Sequence, residues 1–382
     1  MKIHQQFHKN GSGSGNGLDA ALDKEADLVL TFGSRELLKD PDIFPALRAR
    51  YPKAHLCGCS TAGEIYGTRV FDNNLVSTAI SFDNTRIMGA GITLDMAANS
   101  ANAGALLARS IEREGLVHVF VLSDGLNVNG SDLVKGLTEN LPGDVTVTGG
   151  LAADADRFEE TYVFWDDVPR QNSLAIIGFY GDRLKVGYGS MGGWDPFGPD
   201  RLVTRSSGNV LYDLDGRSAL ELYKKYLGDM ARELPASALL FPLCIRTKEN
   251  ETGIVRTILS VNDHENSMTF AGDIPEGSYA RFMKANCERL IDGAYGAALT
   301  GHRAMSESVP AELTILISCV GRKLVLKQRV EEEVETSRDI LGPDAIITGF
   351  YSYGEISPFT PGAKCALHNQ TMTVTTLSEV QS

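Results

Sequence analysis

Two bends of nearly the same sequence carry the groups best suited to chemistry in this chain. Residues 58–65 read GCSTAGEI and residues 349–356 read GFYSYGEI, which puts Glu64 and Glu355 at the same offset from Gly58 and Gly349. An unpaired carboxylate beside an apolar strand costs several kcal/mol or takes up a proton, so each glutamate must be solvated, paired or turned toward a ligand. One reading is a turn residue held by nearby backbone N–H groups. The other is binding. If both bends face one cleft, their N–H groups suit a carboxylate and their glutamates suit an ammonium group, which together describe an amino acid.

The binding reading gathers Gly58, Cys59, Ser60 and Glu64 from the first bend and Tyr351, Tyr353 and Glu355 from the second. It adds Asp124 of Ser123-Asp124-Gly125, at a strand end where α/β proteins place ligand loops, against a turn or helix-capping role. GGLAAD at 149–154 contributes Gly149 and Gly150, with Arg157 beyond. It lacks the lysine of a P-loop and the spacing of a dinucleotide fingerprint. Asn369 completes the set. Cys59, with Glu64, Glu355 and Asp124, could instead form a nucleophilic or acid–base site if these groups converge. Against that enzyme reading, no nucleophile elbow, metal triad or cofactor motif is visible. Cys57 and Cys59 stand two apart without a second cysteine pair, so the spacing of a structural zinc site is missing.

These groups must be positioned by strands and helices that recur. The run ADLVLTFGS predicts a strand, a helix follows Asp40-Pro41, and an apolar run ends at Gly58. LVSTAISF and RIMGAGITL, joined at Asp83-Asn84, read as a hairpin. The order then repeats: a helix over 98–114, LVHVFVLSDG, a helix near Ser131, DVTVTGGLAADADRF, and the apparent hairpin SLAIIGFYGDRLKVGYGS. GGWDPFGPDRLVTRSSGNVLYDLDG, rich in Gly, Pro and Asp, reads as a loop or linker. A third unit follows, with a long helix over about 278–305, the strand ELTILISCVGR, the helix VEEEVETSRDIL, the second glycine bend and a last strand LHNQTMTVTTL. This pattern predicts an α/β (α+β) architecture: two related domains with mixed β-sheets flanked by helices, built from internally repeated strand–helix–strand–turn–hairpin units.

Residues 1–17, which include the tract NGSGSGNG, are expected to form a flexible tail. His4 and His8 within it would share a face only if the tail were helical. The 382-residue chain carries 43% hydrophobic and 22% charged residues, the mix of a soluble globular protein with a sizeable core. Its net charge of −13 argues against nucleic acid or an anionic membrane as main partner. Six dispersed cysteines fit a reduced compartment, and no run is apolar enough for a signal peptide or a membrane span, so a cytoplasmic location without membrane insertion is expected.

The stretches GCSTAGEI, LSDGLNVNGSDLVKGL, VTGGLAADADRFEETYVF, GGWDPFGPDRLVTRSSGNVLYDLDGRSALELYKKYLG, GFYSYGEISP and LHNQTMTVTTL resemble the FIST (F-box and intracellular signal transduction) family. The resemblance covers nearly the whole chain after the tail and implies an N-terminal FIST domain over 18–205 and a C-terminal one over 206–382. It implies a noncatalytic sensor of small ligands, amino acids among them. Stand-alone bacterial members imply haem-based nitric oxide sensing with control of a partner histidine kinase. With no CxxCH motif, such a haem b would be noncovalent, and His368 is the first candidate for its axial ligand.

Overall fold

The computed structural model describes residues 1–9, 24–248, 250–305, 309–359 and 362–380. Three mixed sheets built to one plan form the body. Each centres on a parallel pair: Leu28–Gly33 with His55–Ser60, Leu116–Ser123 with Thr146–Leu151, and Leu313–Cys319 with Ile346–Ser352. Helices bridge each pair, as a crossover between parallel strands requires: Ile43–Arg50 in the first, Gly130–Thr138 in the second and Val330–Leu341 in the third. Ser100–Arg109 packs against the second of these helices and Cys287–Met305 against the third.

Strand exchange knits the three sheets in a cycle. After each parallel pair, the chain leaves its own sheet. Glu64–Tyr66 follows the first pair but joins Ile346–Ser352; Val163–Trp165 follows the second but joins His55–Ser60; Gly354–Pro358 follows the third but joins Thr146–Leu151. The outer edges are exchanged as well. Leu75–Ser81 and Arg86–Thr93 are not a hairpin, since the latter crosses to pair with Ser173–Tyr180 in the second sheet. Ser173–Tyr180 and Leu184–Met191 part likewise, the latter pairing with Met372–Glu379 in the third sheet. The reason is occupancy. Leu75–Ser81 already lies between Leu28–Gly33 and Lys2–His8, so it has no edge left for a hairpin partner.

Lys2–His8 is therefore a strand of the first sheet, not part of a flexible tail; residues 10–17 lie outside the described residues. Phe7 packs on Phe71 at a ring-centroid distance of 4.4 Å, and the Met1 ammonium pairs with Glu312 and Asp83. His4 and His8 lie on this strand and on no helix. The expected division at 205/206 is not spatial. The third sheet takes Glu64–Tyr66, Arg69–Phe71 and Leu184–Met191 from the first half of the chain, and the second takes Gly354–Pro358 and Cys365–His368 from the second half.

Between the three sheets lies an apolar core that includes Leu30, Phe32, Phe120, Leu122, Ile315, Ile317 and Phe350. A fourth, antiparallel sheet is inserted between Leu184–Met191 and Cys287–Met305. It runs in the order Ile254–Arg256, Leu243–Arg246, Tyr279–Lys284, Asp195–Ser207, Val210–Leu214, Ser267–Phe270, Ile258–Asn262. Asp195–Ser207, read from its Gly and Pro content as loop, is a strand whose ladder breaks register between Phe197 and Arg201, where Gly198 and Pro199 fall. Tyr279–Lys284 is likewise a strand, so the long helix starts only at Cys287. Among the described residues, no helix is long and apolar enough to cross a membrane.

Candidate functional site

The two glutamates are braces built alike. Glu64 is 1% exposed; its Oε1 accepts from Thr61 Oγ1 at 2.6 Å and its Oε2 from the Asn74 N–H at 3.2 Å. Glu355 is fully buried; its Oε1 accepts from Ser352 Oγ at 2.6 Å and its Oε2 from the N–H and Oγ1 of Thr371 at 3.1 and 2.9 Å. In both, a hydroxyl three residues upstream donates to the carboxyl. Burial pushes each carboxyl up to about 8, although the hydroxyl and N–H donors, and Lys323 near Glu64, pull the other way. Glu64 sits in the third sheet and Glu355 in the second, each enclosed by its own donors. They do not form the shared cleft that an amino acid's two charges would need.

The glycines of the bends serve close packing. Gly58, Gly149 and Gly349 stand opposite Thr31, Val121 and Leu316 in the three parallel ladders, and a side chain at each would collide with that partner's carbonyl oxygen. Gly149 and Gly349 also adopt φ of 153° and 155°, which favours glycine. Gly150 pairs with Glu355 and leaves room for Ile317. Cys59 is buried in the central apolar core beside Cys57, and burial pushes its thiol up, the opposite of what a nucleophile requires. Ser60 Oγ accepts the Tyr162 N–H at 2.9 Å.

The remaining expected contacts are also engaged by the protein. Asp124 takes the N–H groups of Leu126 and Asn127 and the Thr161 hydroxyl, fixing its turn. Arg157 donates to Asp154 O and pairs with Glu36. Tyr351 donates to Glu333 at 2.7 Å, inside a buried cluster with Arg322 and Ser318. Tyr353 bonds Asp154 and stacks on Phe158.

Two expected residues, His368 and Asn369, do line a cavity. It has a volume of about 440 Å³ and lies where the body meets the inserted sheet. Gly192, Gly193 and Trp194 form one side and the end of the second sheet, with Ala366, His368, Asn369 and Thr371, another; Cys244, Ile254, Val255 and Met283 come from the insertion. Its volume falls within the roughly 300–1,000 Å³ typical of small-molecule sites. Segment 368–371 ties these walls together. Thr371 holds Glu355, Asn369 Nδ2 donates to Tyr353 O at 3.0 Å, and Gln370 Nε2 donates to Leu239 O and Thr257 Oγ1 of the insertion. Trp194 Nε1 in turn donates to Gln370 O. Trp194 lay inside a stretch whose Gly and Pro content read as linker, and the apolar insertion strands carried no motif, so sequence reasoning missed this wall. The lone arginine in IVRTIL was the available signal, since a charge inside an apolar strand run must answer to something (Arg256, below).

A haem held by His368 does not fit these residues. Its Nε2 lies 3.0 Å from Ser357 O, an acceptor only, so Nε2 carries the proton and is engaged. Only Nδ1, beside the residue's own main chain, remains. Burial lowers the ring to about 4 and keeps it neutral. Among the described residues, no group of three or more His, Cys, Asp and Glu stands close enough to hold a metal ion.

Mixed sheets flanked by helices, with a cavity of small-molecule size where separate segments meet, define an α/β protein. The chain belongs to the FIST family: the FIST N domain matches residues 27–217 and the FIST C domain residues 219–358. FIST domains are sensor domains of signal transduction that respond to small ligands. An uncharacterized protein of Mycobacterium tuberculosis is 24% identical over 349 residues, covering 87% of this chain and 86% of its own length. An uncharacterized protein of Methanocaldococcus jannaschii is 25% identical over 224 residues, 55% of this chain and 41% of its own, so this chain spans less than half of that relative. Among solved structures, cyanuric acid hydrolase from A. caulinodans aligns with 78% of this chain and 100% of its own at 9% identity and a TM-score of 0.19, a likeness too low to carry an argument.

Proposed function

We propose that this protein is a noncatalytic cytoplasmic sensor whose ligand occupies the cavity between the body and the inserted sheet. The observation that carries this reading is the construction of segment 368–371: it lines the cavity and is bonded at once to Glu355 of the body and to Leu239 and Thr257 of the insertion. A ligand that fits one arrangement of these parts better than another shifts the population toward it, and the altered surface is what a downstream partner reads. A histidine kinase is the partner class that the family resemblance implies. Burial of Cys59 speaks against a thiol-based enzyme.

The test is a thermal-shift panel of amino acids, organic acids and haemin on the full chain and on Ala366→Trp, which fills the cavity. A compound that stabilises the wild type should lose its effect in the variant. Stabilisation that survives Ala366→Trp, or a Soret band that disappears in His368→Ala, overturns the reading; the latter outcome would restore haem, with His368 freed from Ser357.

A further inference from the structure

The charges around the cavity are one-sided. Ala366 and His368 alternate along the strand Cys365–His368, exposed Lys364 immediately precedes it, all three line the cavity, and the described lining residues include no Asp or Glu. Glu251 falls between two lining residues but is exposed and off the wall. Lys364 makes no ion pair among the described residues. Behind the same wall lies Arg256, 6% exposed, whose guanidinium donates to Leu367 O at 2.9 Å, Asp273 O at 3.3 Å and Ser131 Oγ at 3.2 Å. All three acceptors are neutral, and among the described residues Arg256 too has no ion pair. The nearby Asp273 carboxylate accepts from Asn129 and offsets part of the Arg256 charge, but it does not line the cavity. Burial lowers Arg256 only to about 10, so it stays charged at neutral pH, and its field reaches His368. Near Cys244, on the insertion side, Asp200 is paired with Arg246, while Arg281 donates to Gly198 O. Glu355 lies beneath Thr371 with burial raising its carboxyl.

A buried cation whose hydrogen bonds all go to neutral acceptors is costly to keep charged, and in a partly desolvated cavity the attraction of a cationic wall for an anion is stronger than in water. Trp194, Ile254, Val255, Met283 and Phe359 give the lining its apolar surface, and Asn250, Thr252, Asn369 and Thr371 add uncharged polar groups.

We propose that the cavity selects a small organic anion, a carboxylate on an apolar body without an ammonium group, its charge drawn to the wall carrying Lys364 in front of Arg256 and its body against Trp194, Val255 and Met283. This rests on the sensor reading and narrows it: a free amino acid would bring an ammonium into a site whose described walls offer it no carboxylate.

The test compares three probes of one skeleton by calorimetry on the full chain: 3-phenylpropionate, phenylalanine and 2-phenylethylamine. The propionate should bind at least about tenfold more tightly than phenylalanine, the amine should not bind, and Lys364→Gln should weaken the propionate about fivefold without moving the Tm of the free protein. Its affinity should also fall as salt rises, as for a partly exposed charge contact. Phenylalanine binding equally well, amine binding, no effect of Lys364→Gln, or no binding by any probe overturns the proposal. If phenylalanine binds and Ala366→Trp abolishes it, the anion proposal fails while the sensor reading stands; if bound probes are indifferent to Ala366→Trp, both fail.

Discussion

The bend at 58–65 and the bend at 349–356 use the same parts: a glycine pressed against a neighbouring carbonyl, a hydroxyl three residues before a glutamate, and a backbone N–H closing the carboxylate's other side. Their neighbours separate them. Glu64 looks toward Asn74 and the Lys323–Asp72 pair. Glu355 is closed by Thr371, which lines the cavity shared with the insertion. A repeated motif can thus be a framework device in both copies, while the copy at 349–356 is also joined, through Thr371, to the cavity beside the inserted sheet.

The largest effect expected from breaking this likeness is at the glycines. Gly58→Ala and Gly349→Ala each force a side chain into a carbonyl oxygen of the parallel partner, and each should cost at least about 3 kcal/mol or prevent accumulation of folded protein, as read by chemical denaturation. Equal losses at the two sites support a shared framework role.

Next come the glutamates. Glu64→Ala and Glu355→Ala strand buried donors and should each cost about 2–3 kcal/mol by urea titration. Their functional effects should differ: only Glu355→Ala should weaken the response to a cavity ligand, because only it releases Thr371.

The third expectation concerns pH. Both carboxyls titrate near 8 in the fold against an ordinary value of 4.5, so between those values the native state holds protons that the unfolded chain has lost. Their stabilisation is complete below 4.5 and is lost as pH rises toward 8. Buried His118 and His368, lowered to about 3 and about 4, act in the opposite sense: their contribution is present above 6.5 and lost as pH falls through the folded values. The window free of the histidines is pH 6.5–8, where stability should fall on the order of 1 kcal/mol per pH unit for each glutamate. The double variant Glu64→Gln/Glu355→Gln should flatten that slope.

The smallest effect is at the hydroxyls. Thr61→Val and Ser352→Ala should each cost about 1 kcal/mol and raise the adjoining carboxyl further, seen as a pH-dependent fall in stability that continues to higher pH.

Much of this framework was legible in the residues. Gly58, Gly149 and Gly349 recur because the same collision must be avoided three times, and the apolar runs marked most strands of the body. Pairing was not legible. Alternation shows that Leu75–Ser81 and Arg86–Thr93 are strands but not that they belong to different sheets, since that depends on which edges are already taken. Lys2–His8 was hidden by polar residues and the adjoining Gly/Ser/Asn tract; Phe7 gains its value only from Phe71 and Tyr66, far along the chain. Of the candidate site, the His368–Asn369 stretch was visible, but the opposing wall came from strands with no signature. Arg256 went unnoticed because its neutral acceptors lie on separate segments: Ser131, Leu367 and Asp273.

The most direct test of the sensing account is amide hydrogen exchange on the full chain, with and without the compound that stabilises it most in the thermal-shift panel. The account predicts slowed exchange at 192–194, 254–255 and 366–371 together, with little change around Glu64. Protection confined to other segments, with 366–371 unaffected, would contradict it.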